Sequence, residues 1–202
     1  MLFRSHVKVV SKETFSELTK EKQTQGVLAY VKDYQFGDLN ALTKNPKKFP
    51  VVVALDHLQD PYNFGAIVRT CETLGVDTIL FPKDRSASLS PGMIKASSGA
   101  VYYSNLVKVT NLAQSLLTLK KAGYWVYGTD ADQGENLDTF ASNCNLPMVL
   151  VVGNEDKGVS PRVQKIVDAH IRIPLKGQVP SMNVSVATGI ILYQITQQLD
   201  MA

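Results

Sequence analysis

The chain has 202 residues, 45% hydrophobic and 19% charged, so it is long and apolar enough for a folded core and is neither disordered nor a coiled coil. No run nears the ~20 apolar residues of a membrane span. The opening Met1-Leu2-Phe3-Arg4-Ser5-His6 shows no secretory pattern, and Cys71 and Cys144, with no Cys-x-x-Cys, exclude a disulfide framework. A soluble protein of a reducing compartment, the cytoplasm, is expected. The net charge is +3, and residues 1–50 alone hold nine Lys and Arg against five Asp and Glu. That surplus fits a phosphate-rich partner or a solvated face.

In chain order, residues 11–22 have helical composition with Ser11 as N-cap. Val27-Leu28-Ala29-Tyr30-Val31 reads as a short strand, and Gly37 to Pro50 as a polar helix or linker. A boundary near residue 48 separates an appendage, 1–48, from a main domain, 49–202. There the pattern changes. Val51–Leu55 is a continuous apolar run, as in a strand buried on both faces. Asn63 to Leu74 follows at helical period, and Thr78–Phe81 is the next strand. Ser90–Ser97 is a short helix, Leu106–Val109 a strand, Asn111–Lys121 a helix and Tyr124–Tyr127 a strand. Met148–Val152 is the most apolar strand; Ser160-Pro161 opens a helix with Ser as cap. His170–Ile173 is a strand and Asn183–Leu199 the last helix. Such alternation predicts an α/β domain, with a mostly parallel sheet and helices on both faces. Ligands of such sheets sit beyond the carboxyl ends of the strands.

Three strands run into glycine-bearing polar loops there: Asp56 to Gly65, Gly153 to Pro161, and Pro174 to Ser185. Gly-x-Gly-x-x-Gly, a P-loop and Gly-x-Ser-x-Gly are all absent, and His6, His57 and His170 have no metal-ligand spacing with the cysteines. No metal is expected.

In this order the loops resemble the three motifs of the SPOUT class of methyltransferases, and within it the SpoU/TrmH branch of RNA ribose 2′-O-methyltransferases. The motifs are Asp60-Pro61-Tyr62-Asn63-Phe64-Gly65-Ala66-Ile67-Val68-Arg69-Thr70, Val151-Val152-Gly153-Asn154-Glu155-Asp156-Lys157-Gly158, and Ile173-Pro174-Leu175-Lys176-Gly177 with Ser181-Met182-Asn183-Val184-Ser185. The match spans Val51 to Leu199. The resemblance implies a C-terminal deep trefoil knot, a homodimer, S-adenosylmethionine bound in the knot loops, and an RNA ribose 2′-hydroxyl as acceptor. It points most closely to bacterial enzymes that methylate a guanosine of large-subunit ribosomal RNA. Those usually carry a small RNA-binding domain in front; here Gln25-Gly26-Val27-Leu28-Ala29 resembles the end of one, so residues 1–48 are expected to be a partial RNA-binding segment.

Carried over by motif, Asn63, Arg69, Glu155, Ser181 and Asn183 are the catalytic candidates. The resemblance assigns Arg69 to activating the ribose hydroxyl; because guanidinium stays protonated, gripping phosphate is the physically safer role. Glu155 is expected to orient Arg69 or contact the acceptor, and Ser181 and Asn183 to position the acceptor or hold the knot loop. The plainer readings are an exposed helix charge for Arg69, a turn acid for Glu155, and caps for Asn63, Ser181 and Asn183. Thr129, Gly153, Ile173 and Met182 are the cofactor candidates, against turn or core roles. Tyr102, Tyr103 and Trp125 are open to base stacking or to packing. A second apolar stripe on the last helix, Val186, Ile190 and Tyr193, suits a dimer interface or a helix buried on two sides. A transfer RNA methyltransferase, a non-catalytic RNA-binding relative and a generic nucleotide-binding protein are the competing functions.

Overall fold

A computed structural model describes residues 7–19, 24, 26–31, 33–84, 86–87, 89–155 and 157–199. The N-terminal hexapeptide, the end of the expected first helix, Gln25 and Asp156 lie outside them. The chain forms two compact units, one ending at Tyr34 and the other beginning at Gln35. In the first, α1 (Lys12–Leu18) starts at Ser11, whose hydroxyl accepts the Thr14 amide. The expected strand at 27–31 does not form. Val27 and Tyr30 are 78% and 82% exposed, and no strand pairs with this segment among the described residues. Strand propensity alone fails without a ladder partner and a surface to cover.

The second unit opens with α2 (Leu39–Lys44), capped by Asp38. A sheet of β1 (Val51–Leu55), β2 (Thr78–Pro82), β3 (Asn105–Val109), β4 (Trp125–Thr129), β5 (Glu135–Asn136), β6 (Met148–Val152) and β7 (Ala169–Arg172) follows. Its order is β3-β2-β1-β6-β4-β7-β5, and every pairing of these strands is parallel. Between them run α3 (Pro61–Thr73), α4 (Pro91–Ala96), α5 (Leu112–Lys121), α6 (Leu137–Asn143) and α7 (Pro161–Gln164), and α8 (Val184–Leu199) closes the unit. All five residues of β1, and all five of β6, are buried, as their unbroken apolar runs require.

Alternate residues face opposite layers. Val52, Ala54, Leu80, Val126, Val149 and Val151 form one core with Leu112, Leu116 and Leu119 of α5. On the other face, Phe81 meets Phe64 of α3 edge-on, with ring centroids 5.1 Å apart. Gly65 lets α3 and α4 touch: a Cβ there would stand 2.5 Å from the Met93 carbonyl oxygen. Burying each large apolar side chain contributes about 1.5–3 kcal/mol. On α8, Thr188, Ile191, Leu192 and Ile195 are buried, whereas Val186, Ile190 and Tyr193 remain 51%, 40% and 56% exposed. About half of that stripe's surface stays open. No described helix is long and apolar enough to cross a membrane.

The strand order reverses at β1. The chain proceeds from β1 to β2 and β3 on one side, and β6, β4 and β7 lie on the other. Leu55 and Val152 are partners in register at the carboxyl ends of the two central strands, so the loops beginning at Asp56 and Gly153 leave the sheet side by side. Open α/β sheets bind ligands at such a reversal.

Candidate functional site

Asp60 caps α3: its carboxylate accepts the amides of Tyr62 and Asn63, with Pro61 in the first turn. Asn63 is therefore free of capping, and its side chain bridges two distant loops. Its Nδ2 donates to Glu155 Oε1 at 3.0 Å, and its Oδ1 accepts from Asn183 Nδ2 at 3.1 Å. A carboxylate can only accept, which fixes the orientation of the Asn63 amide. Asn183 in turn caps α8: its Oδ1 accepts the Ser185 amide at 2.9 Å and the Val186 amide at 3.3 Å. Capping and bridging coexist in one side chain. The result is a one-way relay from α8 through Asn183 and Asn63 to Glu155, joining all three loops. Glu155 Oε2 accepts a further bond, from Asn154 Nδ2 at 3.2 Å.

The other sequence candidates occupy distinct places. Arg69 lies six residues beyond Asn63 on α3, about 240° further round the helix at about 100° per residue. Its guanidinium is exposed and makes no hydrogen bond or ion pair among the described residues. Glu155 thus takes Asn63 and Asn154, not Arg69. Ser181 is exposed and makes no capping bond among the described residues. Gly153 follows β6 where the chain folds back, with paired bonds between Asn154 and Gly158 of 3.0 and 2.9 Å. A Cβ on Gly153 would stand 2.1 Å from the Gly158 carbonyl carbon, so this turn accepts only glycine. Thr129 ends β4 opposite Ile171 of β7. Ile173 follows β7, and Met182 lies in the exposed segment 174–183. No backbone hydrogen bond involves residues 174–182 among the described residues, which leaves their main-chain donors and acceptors open to a ligand. Tyr102, Tyr103 and Trp125 are exposed; Trp125 stacks on Tyr127 with rings 9° from parallel.

A model of the SpoU rRNA methylase family matches residues 50–193. The chain belongs to the SpoU rRNA methylase family. A Staphylococcus saprophyticus protein named within the TrmH family of tRNA/rRNA methyltransferases is 39% identical over 174 residues, 85% of this chain and 69% of its own. The A. aeolicus TrmH/SpoU tRNA modifying enzyme superposes with a TM-score of 0.68 at 34% identity, covering 81% of this chain and 85% of that one. The AdoMet-bound rRNA methyltransferase of Sinorhizobium meliloti gives 0.74 at 27% identity, covering 82% and 62%.

This SpoU-family chain also uses residues that motif reading did not single out as site residues. Asn154 donates to both Glu155 and the His57 carbonyl. Asp56 is buried at the end of β1 and accepts from the Ser160 amide at 2.7 Å. Ser160 stands at the cap position of the four-residue α7, but its side chain makes no capping bond. An Asp directly after a wholly apolar strand is the signal that points to Asp56: such a position is buried, and a buried carboxylate needs donors. Cys71 is buried, and burial pushes its thiol well above the ordinary range, so it is inert as a nucleophile. No cluster of three metal-ligating side chains exists among the described residues.

Proposed function

We propose that the chain is an S-adenosylmethionine-dependent RNA methyltransferase acting on a ribose 2′-hydroxyl, of a guanosine in large-subunit ribosomal RNA. The observation that carries the reading is the Asn183–Asn63–Glu155 relay, which draws the three family loops into one site. The residues suit the donor. The main chain of 174–182, which makes no backbone hydrogen bond among the described residues, offers donors and acceptors for an adenine edge, beside Thr129 and Ile173 at the ends of β4 and β7. The S. meliloti neighbour is an AdoMet-bound rRNA methyltransferase.

When bound, the donor supplies a methyl already activated on a sulfonium, so the protein's task is alignment and proton handling. Glu155 is held by two amide donors and keeps lone pairs for the acceptor hydroxyl, whose proton it takes as the oxygen attacks. Asn63 and Asn183 fix its position. Arg69, exposed and unpaired among the described residues, grips an RNA phosphate. We read the Val186–Ile190–Tyr193 stripe as the dimer interface and residues 1–48 as an RNA-contacting segment. The trefoil knot belongs to the same reading. It is supported by the Asn183–Asn63 bond, which brings the chain after β7 back to α3.

A transfer RNA ribose is the second reading, favoured by the 34% identity to the A. aeolicus tRNA modifying enzyme. Incubation with methyl-labelled donor and both RNAs, followed by alkaline hydrolysis, separates these. The expected product is an alkali-resistant dinucleotide from 23S RNA. Label in transfer RNA selects the second reading, label on a base refutes ribose chemistry, and a folded chain that binds no donor is a non-catalytic relative.

A further inference from the structure

Asp56 and His57 follow β1 directly, and His57 adopts φ +61°, a left-handed conformation uncommon outside glycine. Several bonds enforce it. The Asp56 amide donates to the Val152 carbonyl at 2.8 Å, and Asn154 Nδ2 to the His57 carbonyl at 3.1 Å. The imidazole Nδ1 meets Asp56 Oδ1 at 2.5 Å, while Asp56 Oδ2 takes the Ser160 amide. Backbone strain that neighbours over-determine in this way is characteristic of functional sites. Because the carboxylate only accepts, Nδ1 carries the hydrogen, and Nε2 is the nitrogen left for a ligand. The ring is 37% exposed and lines a cavity of about 590 Å³, the size of ordinary small-molecule pockets.

The cavity walls divide by chemistry. Pro82, Leu112 and Val163 are buried and give an apolar floor. Asp84 and Arg162 stand exposed on the wall, and neither has a hydrogen bond or ion pair among the described residues. An apolar floor suits the face of a base, a free guanidinium a phosphate, a free carboxylate the paired N–H edge of guanine, and an oriented imidazole nitrogen a hydroxyl. A bare phosphate would leave the floor bare and face Asp84.

We propose that this cavity binds one ribonucleotide of the RNA beside the methylated one, with Arg162 on its phosphate, His57 Nε2 on its 2′-hydroxyl and Asp84 on its base. The assignment rests on the RNA methyltransferase reading, and its location follows from Asn154, which bonds both the His57 carbonyl and Glu155. The cavity is one side chain away from the relay.

The test titrates the full chain with GMP, dGMP, inorganic phosphate and, separately, S-adenosylmethionine, following the backbone and His57 ring by NMR. GMP should perturb His57, Asp84 and Arg162, and dGMP should bind roughly threefold more weakly for want of the 2′-hydroxyl. Phosphate should do neither. His57→Asn, a residue type that tolerates the left-handed backbone, should abolish the GMP/dGMP difference. On RNA, Arg162→Gln should weaken binding roughly five- to tenfold and lower the salt slope by about one, the mark of a lost phosphate contact that a structural role would not move. Its donor affinity should stay unchanged. A cavity silent to GMP in a chain that binds the donor overturns the proposal. So does GMP binding with RNA affinity and salt slope unaltered by Arg162→Gln, which makes this a free-nucleotide site. A chain that binds no donor removes the enzyme reading and this assignment with it.

Discussion

Gly153→Ala puts the geometry of the second loop at risk in a calculable way. The new Cβ would stand 2.1 Å from the Gly158 carbonyl carbon and 2.2 Å from the Val159 nitrogen. Both are backbone atoms with no rotamer to yield, and comfortable contact needs about 3.5 Å. The fold-back from Asn154 to Gly158 must therefore open by more than about 1 Å. Its two backbone bonds contribute about 1 kcal/mol each, and the residual overpacking costs about 1–3 kcal/mol, so the loss is roughly 3–5 kcal/mol. At about 2–4 °C per kcal/mol for a chain of this length, Tm should fall by roughly 10 °C. Glu155 sits inside the displaced turn, so its bond to Asn63 is lost too, and methyl transfer at a temperature where the variant is folded should drop about a hundredfold. Thermal melting by circular dichroism and a labelled-methyl assay read the two effects. A variant with Tm within about 2 °C of the parent and undiminished transfer would refute the close contact and everything built on it.

Asn63→Ala removes both bridging bonds from a solvent-accessible site, so stability should change by less than about 1 kcal/mol. Turnover should fall about a hundredfold through misalignment of Glu155; urea denaturation and single-turnover kinetics check this. Arg69→Ala should spare donor affinity by calorimetry and lose most turnover; full turnover would remove Arg69 from the chemistry. Burial pushes the Tyr124 phenol from 10 up to about 12. Between those values the unfolded chain ionises while the folded one does not, so the stabilisation is complete below pH 10 and lost as pH climbs towards 12. Tyr124→Phe, which also gives up the bond to the Phe49 carbonyl, should show a shallower decline in urea midpoint over that window; an equally steep decline would assign it to other groups.

The central strands were legible because β1 and β6 are buried on both faces, and burial of that kind writes itself as unbroken apolar runs. The edge was not. β5 is two exposed polar residues, Glu135 and Asn136, and α6 buries only Leu137, Phe140 and Ala141, too little to impose a period. At 27–31 the opposite happened: residues fit for a strand found no ladder. In the site, Asn63, Glu155 and Asn183 could be named from motifs, but their mutual bonds are tertiary, and nothing in composition says that one asparagine both caps a helix and reaches another loop. Asn154 and His57 stayed hidden for the same reason, since backbone hydrogen bonding and a left-handed φ leave little trace in residue type.

The relay also sets an order of events during biosynthesis. Asn63 and Glu155 are 92 residues apart and Asn63 and Asn183 are 120 apart, so closing the site requires some of the longest-range contacts in the chain, which form late because loop closure is costly. A nascent chain in which Asn183 has not yet emerged from the ribosome lacks the residue that ties the third loop to Asn63. A proteolytic product that has lost α8 keeps Asn183 but loses the helix that Asn183 caps. Each can carry a folded central sheet and still be catalytically silent, so competence arrives in one step, with the last helix.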